Sequence, residues 1–118
     1  MSRRDSMVPF RHMLDHAREA VALIKDKSRS DLTTNRLLQL GLVRLVEIVG
    51  EAAGRVPKEE QTKQPGIPWP DVVGMRNRLI HGYDTVDLDV LWDTVKEDFP
   101  PLITQLEKII PPESSRTR

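Results

Sequence analysis

Three stretches of this chain carry apolar residues at alternating steps of three and four, and no stretch sustains an alternation of two. The first series is Met7, Phe10, Leu14, Ala17, Val21 and Ile24, and the second is Leu38, Leu42, Leu45, Val49, Ala52 and Val56. The third runs Leu88, Trp92, Val95, Phe99, Leu102, Leu106 and Ile109. Such spacing lines up side chains on one face of a helix with 3.6 residues per turn, whereas a half-buried strand needs period two. The pattern therefore predicts an all-α protein, an antiparallel bundle of four main helices. Its 118 residues suit one compact core, expected over residues 1–112. The polar tail 113–118 has too little apolar surface to offset ordering entropy and is expected to be disordered.

Capping chemistry sets the expected boundaries. Ser6 can cap the first helix, with Pro9 in its first turn, where the missing N–H costs nothing. Asp31 or Thr33 can cap the second helix, and Gly54 with Pro57 closes it. The polar connection from Pro57 to Pro68 has room for one helical turn, and Pro70 suits the start of a short third helix that Gly82 ends. Asp87 or Asp89 can cap the last helix, which Pro111-Pro112 stops. Pro100-Pro101 falls inside that helix, yet the apolar phase passes through unbroken, so one helix kinked at the prolines is expected.

Composition narrows the function. Lys and Arg number 18 and Asp and Glu also 18, so broad phosphate neutralisation is not what this chain offers. Cys is absent, which removes disulfides and thiolate chemistry. No apolar run approaches the ~20 residues of a membrane span and no leader pattern is visible, so a cytoplasmic location is expected. His12 and His16 stand one turn apart, but a zinc site needs a third ligand, and no metal or other cofactor is expected. Trp69 and Trp92 are expected in core or interface packing.

The second helix is richer in Leu, Val and Ile than one buried face requires. It is expected at the centre of the bundle, with a further face against another subunit. Its polar exceptions Arg44, Glu47 and Glu51 form one narrow stripe, either a solvated salt-bridge seam or a polar line facing a cleft. Gly50 and Gly54, one turn apart, permit a close helix approach.

The chemistry concentrates in Met75-Arg76-Asn77-Arg78-Leu79-Ile80-His81-Gly82-Tyr83, on the short third helix and its exit. Histidine, with a pKa near ~6.5, can take a proton from a 2′-hydroxyl or give one to a leaving oxygen. Arginine can hold a phosphodiester bidentately and stabilise its transition state. On a regular helix Arg76 and His81 would lie ~140° apart. Either Gly82 unwinds the helix end, or two copies meet across a two-fold axis with Arg76 of one facing His81 of the other; the dimer is favoured. The plainer alternative for His81-Gly82-Tyr83 is a helix C-cap. Arg78 is either a solvated charge or an added phosphate contact.

Arg76, four residues, His81, one residue, Tyr83 resembles the signature of the HEPN superfamily. Gly50-Glu51-Ala52-Ala53, Ile67-Pro68-Trp69, Met75-Arg76-Asn77 and Asp98-Phe99-Pro100-Pro101 resemble its HepT-like branch, over residues 6–110. The resemblance implies a small helical homodimer, the toxin of a type VII-like toxin–antitoxin pair whose partner is a minimal nucleotidyltransferase. It implies a metal-independent endoribonuclease, with Arg76 and His81 catalytic at a cleft between protomers and Tyr83 accepting a silencing AMP. Asn77 is expected to position the phosphate, and Glu51 to support Arg76. A rival is a non-catalytic nucleotide- or substrate-binding partner of the nucleotidyltransferase, which the balanced charge would suit.

Overall fold

The computed structural model of the chain describes residues 3–81 and 85–111, and for 3–5 and 81 the backbone alone. The elements are α1 (Arg3–Ile24), α2 (Arg29–Thr34), α3 (Arg36–Gly54), α4 (Lys58–Thr62), α5 (Trp69–Leu79), β1 (Ile80–His81), β2 (Thr85–Val86), α6 (Leu88–Asp93) and α7 (Phe99–Ile109). One π-helical turn, Thr94–Asp98, joins α6 to α7. The protein is all-α as expected, the two-residue strands forming only a small antiparallel hairpin.

The three apolar series become the packed faces. Every member is buried except Val21, Leu88, Trp92 and Ile109, which are half-buried against the same core. Helix α3 is central, packed along α1 on one side and α5 on the other, while α7 lies against α1. Phe10 and Trp69 meet edge to face at 6.0 Å, and the Trp69 indole N–H donates to the carbonyls of Gln61 and Gln64, both at 3.1 Å. Burying each large side chain of this kind contributes roughly 1.5–3 kcal/mol. Exposed pairs tie the periphery: Arg18 to Glu107 at 2.7 Å and Arg29 to Asp89 at 2.8 Å.

Four boundaries differ from the expectation. Helix α1 begins at Arg3, so Ser6 is a buried helical residue rather than a cap and Pro9 lies inside the helix. Asp31 belongs to the separate helix α2, accepting from the Ser28 N–H at 2.7 Å, while Asn35 caps α3 by accepting from the Leu38 N–H at 3.0 Å. Helix α5 stops at Leu79, well before Gly82, which lies outside the described residues. The reason is a tertiary pairing: Ile80 pairs with Val86, His81 with Thr85, and the Leu79 carbonyl accepts from the Asp87 N–H at 2.7 Å.

The fourth concerns the prolines. Helical structure does run continuously across Pro100-Pro101, but the accommodating device is the π turn just before them, closed by the Phe99 N–H donating to the Thr94 carbonyl. That extra residue puts both prolines in the first turn of α7, where a missing N–H leaves little unpaired. Thr94 is buried, its hydroxyl donating to the Val90 carbonyl at 2.7 Å. Asp87 caps α6 by accepting from the Val90 N–H at 3.0 Å, and Pro57 follows the end of α3 as expected. The tail 113–118 falls outside the described residues.

Candidate active site

The site begins with a missing side chain. A Cβ built on Gly50 of α3 would lie 3.3 Å from the Val72 carbonyl oxygen and 3.5 Å from that of Val73. Glycine here lets the backbone of α5 settle directly on α3. A consequence follows one turn along each helix: Arg76 Nε donates to Glu47 Oε2 at 2.9 Å. The other Glu47 oxygen lies 3.5 Å from Arg44 Nη1, and the same nitrogen is 3.5 Å from Glu51 Oε1. Two guanidiniums and two carboxylates thus alternate along the seam between α3 and α5.

Glu47 is the least exposed member, at 22%, while Arg76 is 52% exposed. A partly buried carboxylate gripping one edge of a half-exposed guanidinium fixes its orientation better than a pair of freely moving surface side chains. Only Nε of Arg76 is engaged, and among the described residues no partner meets its two terminal nitrogens. Those nitrogens are the pair that would grip a phosphate oxygen edge.

The direct carboxylate partner of Arg76 is Glu47, not Glu51. Glu51 pairs with Arg44 and reaches Arg76 only through Arg44 and Glu47. The signal for Glu47 was present in the glycines. They mark the face of α3 that meets α5, and at ~100° per residue Glu47 lies ~20–60° from them, against ~60–100° for Glu51. The polar stripe is both a salt-bridge seam and the holder of Arg76.

The remaining motif residues are distributed unevenly. Asn77 is exposed beside Arg76 on α5. His81 stands on β1, so the helical angle between it and Arg76 does not apply: the chain has left the helix two residues earlier. Tyr83 lies outside the described residues. Arg78 faces away from Arg76, 3.9 Å from Asp71 and against a cleft lined by Asp93, Glu97 and Asp98. That acidic setting does not suit the phosphate contact considered for it. His12 and His16 pack edge to face, His16 Nδ1 lying 2.7 Å from the His12 carbonyl oxygen. Among the described residues no three His, Asp or Glu are grouped to hold a metal ion.

The helical bundle thus presents an oriented arginine on a short helix, followed at once by a histidine-bearing hairpin. Comparison with known proteins makes the class specific. The family model described as "Ribonuclease HepT-like" matches residues 13–109. The chain is 39% identical over 100 residues to the probable ribonuclease HepT of Thermococcus cleftensis, covering 81% of this chain and 91% of that one. It is 34% identical over 107 residues to MJ1380 of Methanocaldococcus jannaschii, a candidate RNase by name, covering 91% and 98%. TTE0752 of Caldanaerobacter subterraneus, likewise a candidate RNase, is 33% identical over 102 residues, covering 86% and 91%. No solved structure matches. This chain belongs to the HepT-like ribonuclease family.

Proposed function

We propose that the protein is a metal-independent endoribonuclease whose site is assembled from Arg76 and His81 in a cleft between two copies of the chain. The observation that carries this reading is Arg76 itself, oriented by Glu47 at 2.9 Å with its terminal nitrogens unengaged among the described residues. In the reaction His81 takes the proton of a 2′-hydroxyl, whose oxygen attacks the adjacent phosphorus. Arg76 stabilises the charge gathering on the phosphoryl oxygens, and Asn77 positions the phosphate. The P–O5′ bond breaks, the protonated imidazole returns a proton to that oxygen, and a 2′,3′-cyclic phosphate and a 5′-hydroxyl remain. One imidazole and one guanidinium complete this cycle.

A dimer is supported by the exposed apolar side chains of α3, Leu37 at 80% and Leu40 at 50% accessible, on the helix that carries the Arg44–Glu47–Glu51 network. Burying such residues against a second copy is the simplest account of their exposure. No helix among the described residues is long and apolar enough to cross a membrane. By its family likeness the protein acts in the cytoplasm as the toxin of a type VII-like toxin–antitoxin pair. A minimal nucleotidyltransferase silences it by adding AMP to Tyr83, and Glu51 steadies the network around Arg76.

The test is RNA cleavage in the presence of a chelator by wild type, Arg76→Ala and His81→Ala. Activity in wild type alone supports the reading, and undiminished cleavage by either variant overturns it. The balanced charge, 18 against 18, keeps a second reading in play, a non-catalytic nucleotide-binding partner of the nucleotidyltransferase. That reading predicts no cleavage by any of the three and tight binding of ATP or AMP at the motif. Intact mass after incubation with such an enzyme and ATP tests the acceptor: Tyr83→Phe is expected to lose the AMP increment.

A further inference from the structure

The opposite side of α5 carries a different feature. Between α5 and the continuous α6–π–α7 run lies a cleft of about 550 Å³, within the usual size of a ligand-binding site. Its floor is apolar, with Pro68, Val90 and Pro101 at the surface over the buried Met75, Phe99 and Leu102. Among the described residues that line it, four are carboxylates, Asp71, Asp93, Glu97 and Asp98, and one is a cation, Arg78. The imbalance is local, since the whole chain is neutral.

Two physical consequences follow. Phosphates are repelled here, so the cleft does not extend an RNA path from Arg76. Partial burial, together with the neighbouring Asp93, Asp71 and Glu97, holds the Asp98 carboxyl above its usual range, even with Arg78 opposing. The carboxylates are thus under-compensated by the cations among the described residues of the cleft, and a cation brought from outside would be attracted while an apolar group covered the floor.

We infer that the apolar cleft between α5 and α7, ringed by Asp71, Asp93, Glu97 and Asp98, is a docking site for a Lys/Arg-rich segment of another polypeptide that seats one apolar side chain. The polypeptide is favoured over a simple polyamine because Pro68, Val90 and Pro101 expose apolar surface along the floor beside the carboxylates. A branched anchor, not charge alone, matches such a floor. This inference does not depend on ribonuclease activity, and its test does not measure cleavage.

The experiment is fluorescence anisotropy with a short labelled peptide of alternating arginine and leucine, titrated with the full-length protein. Neutralising two rim positions together, Asp93→Asn with Glu97→Gln, is expected to weaken binding about fivefold or more, at sites exposed enough to leave the fold intact. The same charge change on α1, Asp15→Asn with Glu19→Gln, is expected to stay within about twofold, because both lie outside the cleft. Replacing the peptide's leucines by serine is expected to cost about tenfold, the loss of the seated apolar group. The inference is overturned if wild type does not bind, or if the α1 pair weakens binding as much as the rim pair. It is equally overturned if spermine or the serine peptide binds as tightly as the leucine peptide.

Discussion

Arg76 and Arg78 stand two residues apart on one helix and meet opposite surroundings. Arg76 turns to α3, where the Glu47 carboxylate accepts from its Nε and no other described residue meets its terminal nitrogens. Arg78 turns to the cleft beside α7, among four carboxylates that answer its charge. Two residues on a helix are ~200° of rotation, so identical side chains can serve opposite electrostatic ends. Residue type names a capability, and the helix face decides whether it is used. The comparison breaks most directly on cleavage rates. Arg76→Ala is expected to lower RNA cleavage by about a hundredfold or more, the usual cost of removing a transition-state charge partner. Arg78→Ala is expected to stay within about twofold, as for an exposed surface ion pair. Similar losses from both would mean that the two faces work as one site.

The packing beneath the comparison can be tested separately. Gly50→Val places a branched side chain where even a Cβ would lie 3.3 Å from the Val72 carbonyl. Neither that backbone oxygen nor α3 can give way cheaply, so overpacking should cost about 1–3 kcal/mol. Thermal denaturation is expected to show Tm lower by roughly 5–15 °C. An unchanged Tm would mean that α5 does not rest on α3 as described, and the Arg76–Glu47 distance would lose its structural cause.

Much of this was legible in the sequence, and the illegible parts share a cause. The three helical series could be read because each depends on a local period, and their members form the core. Asp87 as a cap and Gly54 as the close of α3 could be read because capping is local chemistry. The end of α5 could not, since Leu79 is a terminus only because Val86 and Asp87 return to pair with the segment after it. Helical continuity through the prolines was legible from the apolar phase, but the π turn that permits it was not. The choice of Glu47 over Glu51 depended on which face of α3 meets α5, a contact that glycine spacing hints at and packing decides.

That choice gives the next, smaller effect. Glu47→Gln keeps a hydrogen-bond acceptor for Arg76 but removes the charge that fixes it, and cleavage is expected to fall about fivefold through kcat with KM nearly unchanged. Glu51→Gln, two ion pairs removed from Arg76, is expected to change cleavage by less than about twofold. A KM effect equal to the kcat effect would assign Glu47 to substrate binding rather than to positioning Arg76. A larger loss from Glu51 would reverse their order in the network.

The smallest expected effect belongs to the acidic face and has a definite sign in pH. Asp98 has its pKa raised in the folded protein by partial burial and by the negative charge of Asp93, Asp71 and Glu97, with Arg78 opposing. A carboxyl whose folded pKa exceeds its unfolded value binds its proton more tightly when folded. Its ionisation therefore subtracts stability as pH rises through the window between the two values, and the full cost is present at neutral pH. Asp98→Asn removes that cost and is expected to raise Tm at pH 7 slightly, by no more than about 1 °C, because solvent screens so exposed a group. Below the carboxylate range the advantage should vanish, since wild-type Asp98 is then neutral in both states. A variant less stable than wild type at pH 7 would show that Arg78 outweighs burial and the neighbouring acids at Asp98, and the cleft would then lack the uncompensated charge that sets it apart from the Arg76 face.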